Sequence, residues 1–440
     1  MTSTTSETTS REQLLVGKRA SIAAAAGTAV EYYDFAIYGY LAVVIAPAFF
    51  PSSSGAASLL STLALIGGGF FARPIGGFVF SRLGDRLGRR RVLLITVTIM
   101  GVATFGAGLL PPFASIGVAA PLLLAVLRVA QGISAGGEVG GATALANESA
   151  PPKWRGLFGS ATSIGCAVGM SSASIVVGVL SVLLTDAQMS AWGWRIPFLL
   201  AGPLLIGCLL YRIRVEDSPL FKEMLATSEP VKSPVVEVMR NHRRALLLTI
   251  GIGFAQLTAG SLASIYIVVH LTKVLGYQLS GSMWVTAIVS LMPLLLIPLA
   301  GRLSDRYGRR AVLLSGFGGF VVLAVPCFAL MELGSYPLAL AAGLVLNVPF
   351  AAVQGVVYTQ FSEWFPTRVR HSGVSLGFNI AGVIGSGPVS FVATWLVVAT
   401  HMTMSPAFYM VGSAAVGLVI VWFIRETSHD DLSEGVVSDV

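Results

Sequence analysis

Apolar segments of membrane-spanning length recur from one end of this 440-residue chain to the other. Each segment is close to the roughly 20 residues that an α-helix needs to cross about 30 Å of hydrocarbon. Charged residues make up 11% of the chain, whereas a soluble domain carries about 25%. We therefore predict an all-α polytopic membrane protein with twelve transmembrane helices. The predicted spans are residues 20–46, 57–82, 91–111, 119–147, 156–184, 194–213, 245–272, 282–303, 311–331, 337–363, 371–399 and 404–425.

The basic residues predict how the spans are oriented. If both termini face the cytoplasm, 24 of the 28 Lys and Arg residues fall in cytoplasmic segments, as the positive-inside rule requires. Topology and attraction to anionic lipid then explain the net charge of +7 without a nucleic acid partner. We predict a multi-pass protein of the cell inner membrane whose partners are the lipid bilayer, a small-molecule substrate and protons, and which works as a monomer.

The chain repeats itself at half its length. SRLGDRLGRRRVLL, beginning at Ser81, matches GRLSDRYGRRAVLL, beginning at Gly301, at ten of fourteen positions with an offset of 220 residues. Both segments follow the second span of a group of six, so the groups have parallel orientation, as in one known transporter plan. The predicted parts are an N-terminal tail, a six-helix half, a cytoplasmic linker, a second six-helix half and a C-terminal tail, at residues 1–19, 20–213, 214–244, 245–425 and 426–440.

Several motifs identify a family resemblance. GDRLGRRR and its counterpart SDRYGRR resemble the loop motif of the major facilitator superfamily. EYYDFAIYGY, RVAQGISAGGEVGG, GWRIPFLL and EDSPLF narrow the resemblance to the metabolite:H⁺ symporters. That branch includes α-ketoglutarate, shikimate and citrate permeases and the proline/betaine transporters. The chain departs from the pattern at Tyr32 and Val139, where relatives commonly have Trp and Tyr. The resemblance implies the major facilitator fold and proton-coupled transport by two rocking halves.

The repeated loop motif predicts a cytoplasmic gate. A carboxylate at such a bend can accept hydrogen bonds from a helix N-terminus and pair with arginine, and the resemblance implies that role for Asp85 and Asp305. Each arginine of the loop motif, taken singly, is explained equally well by the excess of basic residues that cytoplasmic loops carry. A second, weaker repeat places a glutamate, a proline and an arginine at equal spacing in ESAPPKWR and EWFPTRVR. The predicted gating residues are Asp85, Arg89, Arg90, Asp305, Arg309, Arg310, Glu148, Arg155, Glu363 and Arg370.

Five charged residues lie within spans of the first half, where each charge costs about 2.5–3.5 kcal/mol even on the lenient insertion scale. Counting from the predicted span ends at about 1.5 Å per residue places two of them, Asp34 and Arg128, at one level. Glu31, Arg73 and Glu138 lie at a second level. Three acids and two bases leave one surplus negative charge, and such an acid can carry a proton. The alternative is a fixed structural network. The predicted proton-coupling residues are Glu31, Asp34 and Glu138.

The spans of the second half carry uncharged hydrogen-bonding side chains, whereas those of the first half carry charged residues deep within the membrane. A substrate that places a carboxylate against an arginine and its uncharged part against amides would use both halves. Each amide alone is equally well explained as an interhelical bond, and His270 is expected to be a hydrated residue near a span end. The predicted substrate-binding residues are Arg73, Arg128, Gln131, Tyr38, Gln256, Gln354 and Asn379.

These observations predict a proton-coupled symporter that imports a small organic acid and uses no cofactor or metal. The alternatives are uptake of a zwitterionic osmolyte such as proline or glycine betaine, an exporter or exchanger on the same fold, and a sensor without flux. A polytopic enzyme is disfavoured because metal-ligand motifs and a nucleotide loop are lacking in the sequence.

Overall fold

The twelve predicted spans all coincide with helices. The computed structural model of the chain describes residues 2–52, 55–87, 89–212 and 234–428, with side chains at 14–52, 55–80, 94–210 and 234–428. The long helices are α1 (Thr2–Phe49), α2 (Gly55–Leu87), α3 (Arg89–Leu109), α4 (Ala119–Glu148), α5 (Pro152–Leu183), α6 (Arg195–Arg212), α7 (Arg243–Val274), α8 (Leu279–Tyr307), α9 (Arg309–Glu332), α10 (Tyr336–Glu363), α11 (Arg370–Thr400) and α12 (Ser405–Phe423).

Ten of these helices are long and apolar enough to span a membrane over their described residues. An eleventh span is a bent pair in which Asp186–Gly193 meets Arg195–Leu210 at 48°. α3 is shorter in its described apolar part, Leu94–Leu109, although the whole helix has 21 residues. Within a bilayer the backbone must satisfy its own hydrogen bonds, which explains why apolar segments of this length form helices despite their glycines and prolines.

The helices pack as two groups of six. In the first half, α1 packs on α5, α2 on α4 and α3 on α6; in the second half, α10 packs on α8 and α9, and α7 packs on α11 and α12. The halves meet where α5 contacts α8 and where α2 and α4 contact α11. Across this interface Ser171 donates a hydrogen bond to the carbonyl oxygen of Ser290 at 2.7 Å. The observed packing therefore groups the helices as the 220-residue repeat predicts.

Among the described residues, helices α4, α7 and α11 are interrupted part-way along their length. α4 divides at Gly136 and Gly137 into Ala119–Ala135 and Glu138–Glu148. α7 departs from helical geometry at Ser264, with φ −123° and ψ −73°, and α11 does so at Gly385, with φ −100° and ψ −86°. Non-helical backbone at membrane depth is tolerated where it is buried in protein or lines a cavity, so these breaks point to the interface between the halves.

A short helix, Pro234–Asn241, precedes α7 and packs against α7 and α11. It falls within the predicted linker, residues 214–244, of which the part before residue 234 lies outside the described residues. Val238 is its buried residue, and Glu237 forms a 3.0 Å ion pair with Arg368 in the connection between α10 and α11. The predicted domain boundaries themselves stay predictions.

Candidate functional site

A cleft lies between the two halves. Its first-half wall comes from α1, α2 and α5, and its second-half wall comes from α7, α10 and α11 close to the breaks in α7 and α11. Among the described residues, Arg73 is the only charged side chain in the lining. The lining residues are Tyr32, Phe35, Phe70, Arg73, Met170, Gln256, Leu257, Gly260, Ser261, Ser264, Ile265, Phe350, Gln354 and Ser386.

The charged wall of the cleft is an ion pair between α1 and α2. Arg73 Nη2 lies 3.0 Å from Glu31 Oε1, and the two side chains are 2% and 0% exposed. The guanidinium carbon of Arg73 also lies 4.2 Å from the ring centroid of Phe35 and 4.5 Å from that of Phe70. Counting residues along the spans predicted that Glu31 and Arg73 lie at one level, and the structure joins them.

A second buried cluster surrounds Asp34 and does not reach the cleft lining. Asp34 Oδ1 accepts hydrogen bonds from Thr104 at 2.5 Å and from Gln131 Nε2 at 2.8 Å. Arg128 Nη1 lies 3.9 Å from Asp34 Oδ2, and Arg128 also donates to the carbonyl oxygen of Ile66 at 3.1 Å. Asp34 and Arg128, which were predicted to lie at one level, are therefore neighbours at a longer distance than a direct hydrogen bond. Thr104 was not predicted as a member of this cluster.

Phe35 separates the two clusters. Its ring centroid lies 4.2 Å from the guanidinium carbon of Arg73 and 5.2 Å from that of Arg128. The other face of the Arg128 cluster is Tyr38, whose ring lies 4.1 Å from the Arg128 guanidinium carbon. Of the predicted substrate-binding residues of the first half, Arg73 thus lines the cleft, whereas Arg128, Gln131 and Tyr38 stand behind it.

Glu138 occupies the first position of the second segment of α4, directly after the break in that helix. Its side chain is 1% exposed. The cation that faces the cleft, Arg73, is paired with Glu31. A proton-coupling role for Glu138 stays a prediction.

The predicted amides of the second half divide into two kinds. Gln256 and Gln354 line the cleft, and the side-chain oxygen of each is buried without a hydrogen-bond partner among the described residues. Asn379 instead donates from Nδ2 to the carbonyl oxygen of Gly136 at 2.6 Å, which ties α11 to the break in α4. Ser261 and Ser386, which the sequence did not single out, join the two broken helices at 3.0 Å between their hydroxyl oxygens.

The expectation that His270 is hydrated is wrong. Its side chain is 0% exposed, and it packs against Phe328 at 4.9 Å and Tyr266 at 6.0 Å between ring centroids. Neither ring nitrogen has a hydrogen-bond partner in the part of the chain that the structure describes. The expectation failed because residues 270–274 continue α7 as a π-helical turn, which keeps the histidine inside the bundle instead of at a span end.

At the end of the bundle where α8 meets α9, here called the arginine-rich end, Asp305 links the halves. Its carboxylate accepts hydrogen bonds from the backbone N–H groups of Gly156, at 2.7 Å, and Leu157, at 3.1 Å, which belong to α5 of the first half. Arg309 Nη1 lies 2.8 Å from the same carboxylate. This is the geometry that the gate hypothesis requires: an acid that accepts from a helix N-terminus and pairs with arginine.

The predicted acid and arginine pairs of this end also join the halves. Arg155 of α5 lies 3.5 Å from Glu363 of α10, which is also bound by Arg309 at 3.1 Å. Arg370 of α11 lies 3.0 Å from Glu148 of α4, with side chains 0% and 1% exposed. The repeated spacing in the sequence placed these residues at equivalent ends of spans, and the structure pairs them between the repeats.

Glu426, directly after α12, is a member of this end that sequence reasoning missed. Its two carboxylate oxygens accept from the backbone N–H groups of Arg309, at 2.8 Å, and Arg310, at 3.0 Å. Partial burial raises the pKa of Glu426, but these backbone hydrogen bonds outweigh it and lower the pKa below its ordinary value. Thr427 donates to Glu363 Oε2 at 2.6 Å, so the end of the described chain contacts the charged network.

The turn before α9 makes this contact feasible. Gly308 has φ 95°, a conformation that side chains rarely adopt, and a Cβ there would meet the Glu426 carboxylate. Arg310 points along α12, where it donates to the carbonyl oxygen of Trp422 at 2.5 Å. The equivalent residues of the first repeat, Asp85, Arg89 and Arg90, have side chains outside the described part of the structure.

Known proteins resemble the chain along most of its length. The profile of the family described as "Sugar (and other) transporter" matches residues 20–229 and 222–435. Three Escherichia coli (strain K12) proteins are similar. The inner membrane metabolite transport protein YhjE is 34% identical over 93% of this chain and 94% of its own. The proline/betaine transporter is 34% identical over 94% and 85%, and the shikimate transporter is 35% identical over 86% and 88%.

The fold is also similar to that of a solved structure. The proton:xylose symporter XylE, a major facilitator superfamily protein, superposes with a TM-score of 0.74 over 96% of this chain and 98% of its own, at 19% identity. At this identity the likeness concerns the fold alone. It confirms the predicted architecture of two six-helix halves. Among the residues with described side chains, no cluster of three His, Cys, Asp or Glu side chains is arranged to hold a metal ion.

Proposed function

Because the chain belongs to the Sugar (and other) transporter family of the major facilitator superfamily, we propose that it is a proton-coupled symporter for a small carboxylate-bearing metabolite. The chain is a membrane transporter and not an enzyme, as the sequence predicted. The substrate, the proton coupling and the direction of transport are the parts that we propose. Import follows the predicted orientation, with the arginine-rich end in the cytoplasm.

The observation that carries the proposal is the ion pair of Glu31 and Arg73 at the wall of a cleft whose other described lining residues are uncharged. Arg73 is a cation that a carboxylate can reach, and charge-assisted hydrogen bonds to guanidinium are the strong ones. Glu31 is an acid buried beside it, and buried acids in transporters mark proton pathways. The Glu31–Arg73 pair therefore offers both a cation that can bind a substrate carboxylate and an acid that can bind a proton.

The proposed cycle uses the two halves as rocking bodies. With the arginine-rich end closed by Asp305, Glu363 and Glu148, the substrate and a proton enter from the predicted outer side. The substrate places its carboxylate at Arg73 and its remaining polar groups at Gln256 and Gln354. The network at the arginine-rich end then opens, and both ligands leave into the cytoplasm.

Uptake of a zwitterionic osmolyte is the second candidate. The chain is 34% identical to a proline/betaine transporter, and the aromatic rings of Tyr32, Phe35 and Phe70 line the cleft, where such rings can bind a quaternary ammonium. The Arg73 guanidinium already lies over Phe35 and Phe70 at 4.2 and 4.5 Å. Because a cation cannot bind the ring faces that another cation occupies, we prefer the organic acid.

The test is uptake into proteoliposomes that contain the purified protein under an imposed inward proton gradient. The labelled panel is α-ketoglutarate, shikimate, citrate, benzoate, proline and glycine betaine. We expect accumulation of a carboxylate compound that an uncoupler abolishes, whereas protein-free liposomes show none. Accumulation of proline or betaine alone would favour the osmolyte. Equal uptake with and without the uncoupler would overturn proton coupling and favour an exchanger.

A further inference from the structure

A second crevice, here called the seam crevice, lies where α2 of the first half meets α11 of the second. Its lining includes Phe78 of α2, Ser375, Leu376 and Asn379 of α11, and Val235 of the short helix Pro234–Asn241. It shares no described lining residue with the cleft described above. We propose that the seam crevice and the arginines beside it bind an anionic phospholipid from the membrane leaflet at the arginine-rich end.

One side of the seam crevice opens on an apolar surface of α2. Phe78 is 44% exposed, and Ile75 and Phe71, which lie on the same side of the helix at helical spacing, are 58% and 61% exposed. In a helix that spans a membrane, such a stripe faces lipid tails, which are as apolar as the side chains themselves. A ligand that reaches the crevice from this side must therefore carry an apolar part.

The inner side of the seam crevice is polar. Ser372, Ser375 and Asn379 line it at helical spacing along α11. Ser375 and Asn379 are each 2% exposed, and Ser375 Oγ and Asn379 Oδ1 have no hydrogen-bond partner among the described residues. A buried polar atom without a partner is costly. The ester oxygens of a phospholipid can accept from the Ser375 hydroxyl, and the hydroxyls of a glycerol headgroup can donate to Asn379.

Exposed arginines lie beside the crevice on the segment that joins the short helix to α7. Arg240 is near the end of the short helix, and Arg243 and Arg244 begin α7; all three are exposed. Glu237 is the one acid of the short helix, and it is already paired with Arg368 at 3.0 Å. The three arginines are therefore not neutralised by it, and guanidinium groups suit the phosphate of a lipid headgroup.

These three features together select the occupant. The acyl chains of an anionic phospholipid cover the apolar stripe of α2, its glycerol oxygens reach the polar side of α11, and its phosphate meets the arginines. A free phosphate ion would leave the apolar side uncovered, and a zwitterionic lipid brings an ammonium group that the arginines repel. Because α2 and α11 belong to different halves, the bound lipid contacts both.

The first experiment measures the Kd of the first bound lipid by native mass spectrometry of the delipidated full-length protein in detergent. Dioleoyl phosphatidylglycerol and dioleoyl phosphatidylcholine have the same acyl chains and differ in headgroup charge. Each arginine near an anionic headgroup strengthens binding about fivefold. We therefore expect phosphatidylglycerol to bind at least tenfold more tightly than phosphatidylcholine.

The arginines are tested by the double variant Arg243→Gln/Arg244→Gln. We expect it to bind phosphatidylglycerol about 25-fold more weakly and to bind phosphatidylcholine within twofold of the wild type. The matched control is Arg302→Gln/Arg306→Gln, which removes two exposed arginines of α8 at the same end of the bundle. The control is expected to keep the affinity for phosphatidylglycerol.

The crevice itself is tested by Leu376→Trp, which fills it with a larger side chain. We expect the affinity for phosphatidylglycerol to fall at least tenfold. Leu295→Trp is the matched control, because Leu295 of α8 is 78% exposed on the surface of the bundle. This control is expected to bind phosphatidylglycerol as the wild type does.

Three outcomes would overturn the site. Equal affinity of the wild type for the two lipids, or an equal loss in both arginine double variants, would show only a nonspecific layer of lipid around the protein. Unchanged phosphatidylglycerol affinity in Leu376→Trp would place the lipid outside the crevice. The arginine comparison decides alone should Leu376→Trp not fold. None of these measurements involves the transported compound, so their failure leaves the proposed function standing.

Discussion

The two charged regions of the molecule differ in which helices they join. The central pairs, Glu31 with Arg73 and Asp34 with Arg128, lie entirely within the first half. Two pairs at the arginine-rich end, Arg155 with Glu363 and Arg370 with Glu148, cross between the halves. A rocking movement of the halves leaves the central pairs intact and must break these two.

This difference separates two tasks that the same residue types perform. Pairs within one half can hold a ligand or a proton through the whole movement, because their geometry does not depend on the other half. We propose that the pairs between the halves act as a latch that is made in one state and lost in the other. Variants in the two regions should therefore produce different defects: loss of ligand binding at the centre and a shifted equilibrium between states at the end.

The largest effect is expected from Arg73→Gln. Truncating one partner of a buried charged pair costs about 2–5 kcal/mol, which corresponds to about a 30-fold or greater loss of affinity. The measurement is the Kd of the transported compound by calorimetry in detergent. Arg368→Gln is the control, since Arg368 is 60% exposed. An equal loss in Arg128→Gln would contradict the assignment of the substrate carboxylate to Arg73.

The next largest effect is expected from Arg370→Gln, which removes the cation that pairs with Glu148 across the two halves. Loss of its cation leaves Glu148 buried unless the halves separate and admit water, so we expect the arginine-rich end to open. Cys166 is a built-in reporter, because it is 1% exposed and its sulfur lies 3.8 Å from the hydroxyl of Tyr358 across the interface. With Cys208 and Cys327 replaced by serine, maleimide labelling of Cys166 should rise about tenfold for every 1.4 kcal/mol lost from the closed state.

A reciprocal variant sharpens this result. Glu148→Gln should raise Cys166 labelling as Arg370→Gln does, while the affinity for the transported compound in each changes far less than in Arg73→Gln. Unchanged labelling in both variants would show that the pair is structural and does not latch the halves. Asp305→Asn should give a smaller rise, because the amide keeps one acceptor oxygen for the N–H groups of Gly156 and Leu157.

The sequence predicted most of the fold and the pairs that depend on depth. Span length and charge distribution define the twelve helices, and counting residues along them brings Glu31 level with Arg73. Depth does not determine which way a side chain faces around the helix axis. Arg128 stands behind Phe35, whereas Gln354 lines the cleft, and counting residues along their spans does not reveal this difference.

Contacts between distant segments were beyond the reach of sequence patterns. Asn379 has the character of a ligand-binding amide, and its bond to Gly136 became evident only once α4 and α11 were placed side by side. Glu426 has no counterpart in the repeat and lies after the last span, where nothing in the pattern distinguishes it from a solvated tail residue. Thr104 is an ordinary residue in an apolar span until it is set beside Asp34.

The smallest effect should come from Glu426→Gln, which tests whether the segment after α12 supports the latch. A carboxylate at a helix N-terminus contributes about 0.3–1 kcal/mol, so Cys166 labelling at pH 7 should rise about two- to fivefold, less than in Arg370→Gln.

Because backbone hydrogen bonds lower the pKa of Glu426, its contribution to stability is fully present above the ordinary glutamate pKa of about 4.3. The contribution is lost as the pH falls through the lower pKa of the folded protein. The difference in unfolding temperature between wild type and variant should therefore stay constant from neutral pH down to that range and shrink below it. A difference that instead grew on acidification would mean that the ionised carboxylate destabilises this end, and that the contact with α9 is not part of the latch.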